Sequence, residues 1–372
     1  MRVTVLDPPA YTPPYDHSLC AALARRGLEV ELVTSRFRHS EAPEPEGYER
    51  TLSFYRVGNR SVTIKAVQHP LDMLRAARRA RAEGPQVTHF QWLPIPRVDR
   101  RLVRRFDPPR VLTAHELLPR EGERAREAGV PALVEQLDAV IAHTEHGCRR
   151  LVEELEIPAS KVSVIPHGAF DYLTRLPEET PMDEAVGDLD GRRVVLSFGI
   201  VRPYKGVDLL IEAFRQAPAD AVLLVVGRSL TPIEPLRRLA EELGLGDRVR
   251  FVSRFVPDSE VPAYFRRADL VVLPYRRSEQ SGTLFTALAF GAPVLATAVG
   301  GMAELAEHGA VRLVPPGDAR SLAVSVTDLL ENEGERAALS EAARQAAAGP
   351  YSWDRAAELT EALYRRLLEA SG

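Results

Sequence analysis

Cysteine is nearly missing from this chain: its 372 residues include two, Cys20 and Cys148. They lie far apart inside helical patterns, which fits reduced, buried thiols and argues against a disulfide framework or a cysteine-rich metal site. Lysine is almost as scarce, with Lys65, Lys161 and Lys205 among forty-eight Lys and Arg residues. No apolar run approaches the roughly 20 residues of a membrane span. Met1 leads straight into the apolar run Val3 to Leu6 with no leader pattern, so a cytoplasmic protein is expected. Neither charge sign dominates. A formal charge of -4 with 27% charged and 45% hydrophobic residues describes a soluble globular chain with no pull toward nucleic acid. Neither half carries a Gly-x-Gly-x-x-Gly fingerprint after its first strand, so no dinucleotide cofactor is expected.

What is present is alternation. From Met1 to about Ile165, strands and helices succeed one another: Val3 to Leu6, helix 16–26, Glu29 to Thr34, Leu52 to Arg56, helix 66–81, Val87 to Phe90. Helix 97–106, Val111 to Ala114, a helix centred on 122–136, Ala139 to Ala142, helix 145–155 and Val162 to Ile165 follow. Such order predicts a parallel sheet with helices on both faces. Residues 171–191, rich in Pro, Glu and Asp and without periodicity, read as a linker. A second alternation runs from Val194 to a long helix over 319–346, and an amphipathic helix from Tyr351 to Leu368 follows the Gly349-Pro350 break. At this length two domains can each bury a core.

The second half is organised around Asp269 to Gly301. Leu270 to Leu273 is an unbroken apolar run, as a strand buried on both faces requires. Polar residues Arg276 to Gln280 follow, and Ser281 and Gly282 open a helix that ends at Gly291. The first amides of a helix lack internal partners and its dipole is positive there, so Ser281, Gly282 and Thr283 suit an anion such as a diphosphate. An ordinary capped helix fits this unit equally well. Val194 to Gly206 adds a second apolar strand ending at Gly199, followed by Arg202 and by one of the three lysines, Lys205. A compact ammonium suits a phosphate, whereas the dipole at a helix start disfavours a cation that has no ligand. Two cations and an amide-lined helix start at parallel strand ends would meet in one crevice.

These two stretches, with Ala114 to Pro119, Val164 to Gly168 and Tyr351 to Trp353, resemble the retaining glycosyltransferases of family 4. The resemblance implies the GT-B fold: an α/β architecture of two Rossmann-like domains with parallel sheets facing a central cleft. The acceptor domain would be 1–170 plus 351–372, the linker 171–191, and the nucleotide-sugar domain 192–350. In that family a Glu-x7-Glu motif serves the donor sugar and the ribose. Here Glu279-Gln280-Ser281-Gly282 resembles the opening, with either Glu279 or Gln280 facing the sugar. Thr286 stands where the second glutamate is expected, one residue early.

The resemblance implies a sugar transfer from a nucleoside diphosphate donor to an acceptor hydroxyl with retention, with no cofactor and no metal ion. His115, Arg202, Lys205 and Glu279 would carry the chemistry. Gly199, Arg202, Lys205, Arg254, Phe255, Glu279, Gln280, Ser281, Gly282, Thr283, Leu284 and Thr286 would hold the donor, the base through backbone atoms at Arg254 and Phe255. Asp16 and His17, in the loop after the first strand, are candidate acceptor or phosphate contacts. Asp188 and Asp190 spell the Asp-x-Asp of metal-dependent transferases, but in a Gly-bounded turn. The arginines between Arg75 and Arg105 read as a solvated helix face or as peripheral contact with an anionic membrane. The acceptor class stays open among carbohydrate, lipid-linked and small-molecule partners. Alternatives are a GT-B sugar-nucleotide epimerase or phosphorylase, and a bilobed periplasmic sugar-binding protein, which should carry a secretion signal.

Overall fold

The computed structural model describes residues 1–38, 42–57, 61–115 and 129–371. The chain divides into two compact units: Met1–Gly168 with Trp353–Gly372, and Ala169–Ser352. The helix foreseen around 122–136 is described over Val130–Val134; its earlier part, and residues 116–119 after His115, lie outside the described residues.

The first unit holds strands β1 (Arg2–Asp7), β2 (Glu29–Ser35), β3 (Glu49–Phe54), β4 (Val87–Phe90), β5 (Arg110–Thr113), β6 (Ala139–Ala142) and β7 (Val162–Val164). All pair in parallel, in the order β3-β2-β1-β4-β5-β6-β7. Val3, Val5, Val87, Val111 and Val140 are almost wholly buried, as strands covered on both faces must be. The last helix, Trp353–Ser371, belongs to this unit, where Arg26 Nε reaches Glu361 at 2.6 Å and Arg25 reaches Asp354 at 2.7 Å. Gly168 makes room for it, since a Cβ there would run into the Trp353 indole.

The second unit holds β8 (Arg193–Phe198), β9 (Ala221–Val226), β10 (Val249–Val252), β11 (Leu270–Leu273), β12 (Val294–Thr297) and β13 (Arg312–Val314), in the parallel order β10-β9-β8-β11-β12-β13. Two expectations are corrected here. Residues 171–191 form no free linker: Leu173, Val186 and Leu189 are buried in this unit's core, and the segment coils into 3-10 turns at Asp171–Arg175 and Glu184–Val186. The single helix over 319–346 is two, Ala319–Glu331 and Glu333–Ala348, because the Asn332 side chain accepts the Glu335 amide at 3.0 Å and so caps the second. Strand β13 was not foreseen; it is three residues long and lies at the sheet edge.

In both sheets the strand order reverses direction beside the first strand, between β1 and β4 and between β8 and β11. Doubly wound sheets bind ligands beyond the carboxyl ends of the strands at that switch point.

Candidate active site

In the second unit, β8 ends at Phe198 and delivers Gly199 with φ +99°. A Cβ on Gly199 would stand 2.9 Å from Lys205 Nζ and 3.0 Å from Thr283 Oγ1, so ammonium and hydroxyl converge on bare backbone. The turn carrying Lys205 is held from the neighbouring strand: Arg276 donates its amide to Tyr204 O at 2.7 Å and pairs with Asp208 at 2.6 Å. Gly206, at φ +65°, lets this turn close on the Pro274 carbonyl, which a side chain would strike. The Lys205 ammonium lies 5.2 Å from the Tyr275 ring centroid, and the Tyr275 hydroxyl is 3.2 Å from Ser281 Oγ. Among the described residues no carboxylate pairs with Arg202 or Lys205.

Helix Gly282–Ala289 starts beside them, with Ser281 as its cap. The Leu284 and Phe285 amides turn back to Ser281 at 3.0 and 3.3 Å, which leaves those of Gly282 and Thr283 at the first turn. Leu284 and Thr286, two of the expected donor contacts, are engaged within the helix. Leu284 has its side chain in the core and its amide on Ser281; the Thr286 hydroxyl donates to Gly282 O at 2.9 Å inside the helix. Gln280 Oε1 is buried without a partner among the described residues, while the Glu279 carbonyl accepts the Gly301 amide at 3.1 Å. Arg254 is engaged by Asp183 and Glu260, both at 2.7 Å, and reaches the Phe255 carbonyl at 3.1 Å. Asp188 Oδ1 accepts the Asp190 amide at 2.9 Å, as in an Asx turn.

The first unit gathers its polar groups at the carboxyl edge of its sheet. His115, just past β5, is buried, and its Nε2 lies 2.9 Å from Gln91 Oε1. Gln91 turns its amide nitrogen to His89 Nε2 at 3.4 Å, so the oxygen faces His115 and the His115 Nε2 carries the proton. His89 in turn lies 2.7 Å from Thr113 Oγ1 and 2.6 Å from the Tyr364 hydroxyl. Trp92 stacks on the His115 ring at 5.1 Å and Tyr15 meets it edge-on at 4.6 Å. His143 and His167 complete the group around Tyr15, at 5.3 and 5.0 Å. Burial pushes all four imidazoles down, His89 to about 3 and His143 to about 4, and at His115 the neighbouring histidines add to the effect of burial. His115 is therefore neutral near pH 7, donating from Nε2 and bare at Nδ1.

Beside this cluster Asp7, the last residue of β1, is buried against Asp16. Burial raises the Asp7 carboxyl to about 6, opposed by a hydrogen bond from Asp16, and burial with the Asp7 charge raises Asp16 further. Burial thus favours the neutral form of both carboxyls. Neither Asp16 nor His17 is an open contact: Asp16 is 1% exposed, and the His17 ring is buried with Nδ1 3.1 Å from the Tyr48 hydroxyl. The sequence reading missed Asp7, Gln91, Tyr15, His143 and His167. All but Tyr15 end a strand or follow one closely, and counting polar residues at strand ends would have found them.

Comparison with known proteins agrees with this architecture. The family model described as Glycosyltransferase Family 4 matches residues 15–169, and that described as Glycosyl transferases group 1 matches 180–346. The D-inositol 3-phosphate glycosyltransferase of Nocardia farcinica is 27% identical over 94% of this chain and 83% of its own length. That of Mycolicibacterium smegmatis is 28% identical over 93% and 84%. Among solved structures, sucrose-phosphate synthase from Thermosynechococcus elongatus superposes with a TM-score of 0.75 at 23% identity, covering 100% of both chains. Anabaena HepE in complex with UDP and glucose does so at 0.76 and 19%, covering 99% of this chain and 100% of its own. These two share the fold. With a family 4 domain in its first half, a group 1 domain in its second, and the GT-B pair of doubly wound sheets, the chain belongs to the glycosyltransferases.

Proposed function

We propose that this glycosyltransferase moves a sugar from a nucleoside diphosphate donor to an acceptor hydroxyl with retention of anomeric configuration, without a metal ion. The observation that carries the reading is the convergence of Lys205 and Thr283 on Gly199 at the switch point of the second sheet, with Arg202 in the same turn and, among the described residues, no carboxylate paired with either cation. Breaking the anomeric C–O bond places charge on the departing diphosphate. Arg202, Lys205 and the amides of Gly282 and Thr283 are preorganised to stabilise it, each by about 2–4 kcal/mol in the transition state. The acceptor oxygen attacks on the face the diphosphate leaves, and its proton passes to a diphosphate oxygen. Gln280 or Glu279 binds the sugar hydroxyls, and His115 contacts the transferred sugar.

We take the acceptor to be a small anionic alcohol, like the inositol phosphate named for the relatives, and one cation of the first unit supports this. Lys65, near the start of helix Val62–Glu83, sits 4.6 Å from the Tyr55 ring centroid. Burial and the Arg38 guanidinium lower it to about 8, against the opposing pull of Asp7. A cation held beside another cation gains from an anion placed between them.

Calorimetry with UDP, GDP and ADP, followed by NMR of the anomeric product from the matching sugar nucleotide and inositol phosphates, tests the reading. Activity should persist in chelator. Complete loss restored by magnesium or manganese would overturn metal independence, and conversion of donor alone would point to an epimerase.

A further inference from the structure

Helix Val62–Glu83 leads into β4, and helix Pro96–Leu102 with the 3-10 turn Val103–Arg105 leads into β5. Their carboxyl ends therefore lie at the amino edge of the first sheet, opposite the edge that holds His115 and Asp7. There a recess of about 480 Å³ is lined by Arg81, Arg101, Arg104 and Arg105. That volume lies within the roughly 300–1,000 Å³ of small-molecule sites.

The recess concentrates charge that is elsewhere partly neutralised. The chain is net negative, and two arginines on the helix that carries Arg81 are neutralised: Arg75 pairs with Asp72, and Arg79 with Glu31 and Glu83. In the recess Arg81 has Asp107 at 3.6 Å, while no described carboxylate pairs with Arg101, Arg104 or Arg105. The helix dipole accounts for a cation in the last turn, as at Arg81 and Arg101. Arg104 and Arg105 close the 3-10 turn that extends this helix, so all four cations gather at helix ends. Four guanidinium groups around one hollow repel one another, a cost that an anion filling the hollow would relieve. Guanidinium forks also match phosphate oxygens two at a time.

We infer that this recess is a second anion site, which binds a ligand bearing a phosphomonoester or diphosphate group, separate from the donor and acceptor sites. The phosphate is presented either by a soluble molecule or by a lipid headgroup, and both sources offer the same chemistry.

Calorimetry with inorganic pyrophosphate and co-sedimentation with phosphatidylcholine vesicles, plain or doped with phosphatidic acid, test it. Each is run on the wild type, on Arg101→Ala/Arg104→Ala and on Lys205→Ala. The arginine side chains are exposed, and thermal melts confirm that the variants fold. The double variant should weaken pyrophosphate or doped-vesicle binding by at least about tenfold, whereas Lys205→Ala should leave that component intact. Arg104→Lys, which keeps the charge and loses the fork, should weaken it by a few-fold. Pyrophosphate binding without vesicle binding identifies a soluble ligand, and the reverse identifies a headgroup. If neither probe binds, or binding is lost with Lys205 and not with the arginines, the recess is no anion site.

Discussion

His115 Nε2 lies 2.9 Å from the side-chain oxygen of Gln91, an acceptor that calls for the proton on that nitrogen. That bond fixes the tautomer of a buried imidazole, which otherwise could present either nitrogen to a ligand. Gln91 itself is oriented by His89, and His89 contacts Tyr364 on the last helix.

Gln91→Leu should lower transfer by about tenfold through loss of the tautomer, with nucleoside diphosphate affinity unchanged within about threefold. His115→Ala should behave alike. Gln91→Glu should keep the tautomer and shift the pH profile, since a carboxylate favours the imidazolium. Rates against pH, with calorimetry of the diphosphate, separate these outcomes. Equal loss of binding and rate would make His115 purely structural.

Lys205→Ala and Arg202→Ala should each reduce kcat by at least about a hundredfold with the fold unaltered, since both lie at a strand end and outside the core. Near wild-type turnover in both variants would remove the donor site from this crevice.

Gly199→Ala tests the same convergence from the backbone. The new methyl would sit 2.9 Å from Lys205 Nζ and 3.0 Å from Thr283 Oγ1, at a φ of +99° that alanine rarely adopts. We expect a loss of about 1–3 kcal/mol in stability and a larger proportional loss in donor affinity, read by denaturant titration and calorimetry. A variant as stable and as tight-binding as the wild type would contradict the geometry.

Stability should fall on acidification. His89 and His143 titrate near 3 and 4 in the folded chain, against about 6.5 unfolded, so below 6.5 the unfolded state binds more protons. Their contribution is complete above that value and is lost as pH falls toward 4 and 3; each costs about 2 kcal/mol at pH 5. Asp7, raised to about 6 from 3.8, acts in the opposite sense, its contribution fading as pH rises between those values. Asp16, raised further, acts in the same sense as Asp7, but four depressed histidines outweigh two raised carboxyls, so Tm should drop between pH 7 and 5. A flat or rising Tm would refute the burial of the cluster.

The strands were legible because parallel sheets under helices demand continuous apolar runs. Val87–Phe90, Ala139–Ala142, Val249–Val252 and Leu270–Leu273 stand where those runs do. Strand β13 was not, since three residues, one of them an arginine, carry no periodicity. The crevice around Gly199 was legible in part because glycine, lysine and a helix start recur at strand ends in sequence. The histidine group was not, because His89, His115, His143 and His167 come from four different strand regions, and only the parallel register sets them side by side. The pairing of Thr286 with Gly282 was equally hidden, since a hydroxyl that bonds back into its own helix looks in sequence like one free to bind.

The chain leaves its first unit at Gly168 and re-enters it at Trp353, so the second unit is an insert in the first. On the ribosome, at about 5–20 residues per second, the whole of the second unit emerges before the helix that carries Trp353 and Tyr364. Until those residues arrive, His89 has no Tyr364 to bond and the space beside Gly168 has no indole. The unit translated first is thus the one completed last, and a message truncated after residue 352 would yield a finished second unit attached to an unfinished first.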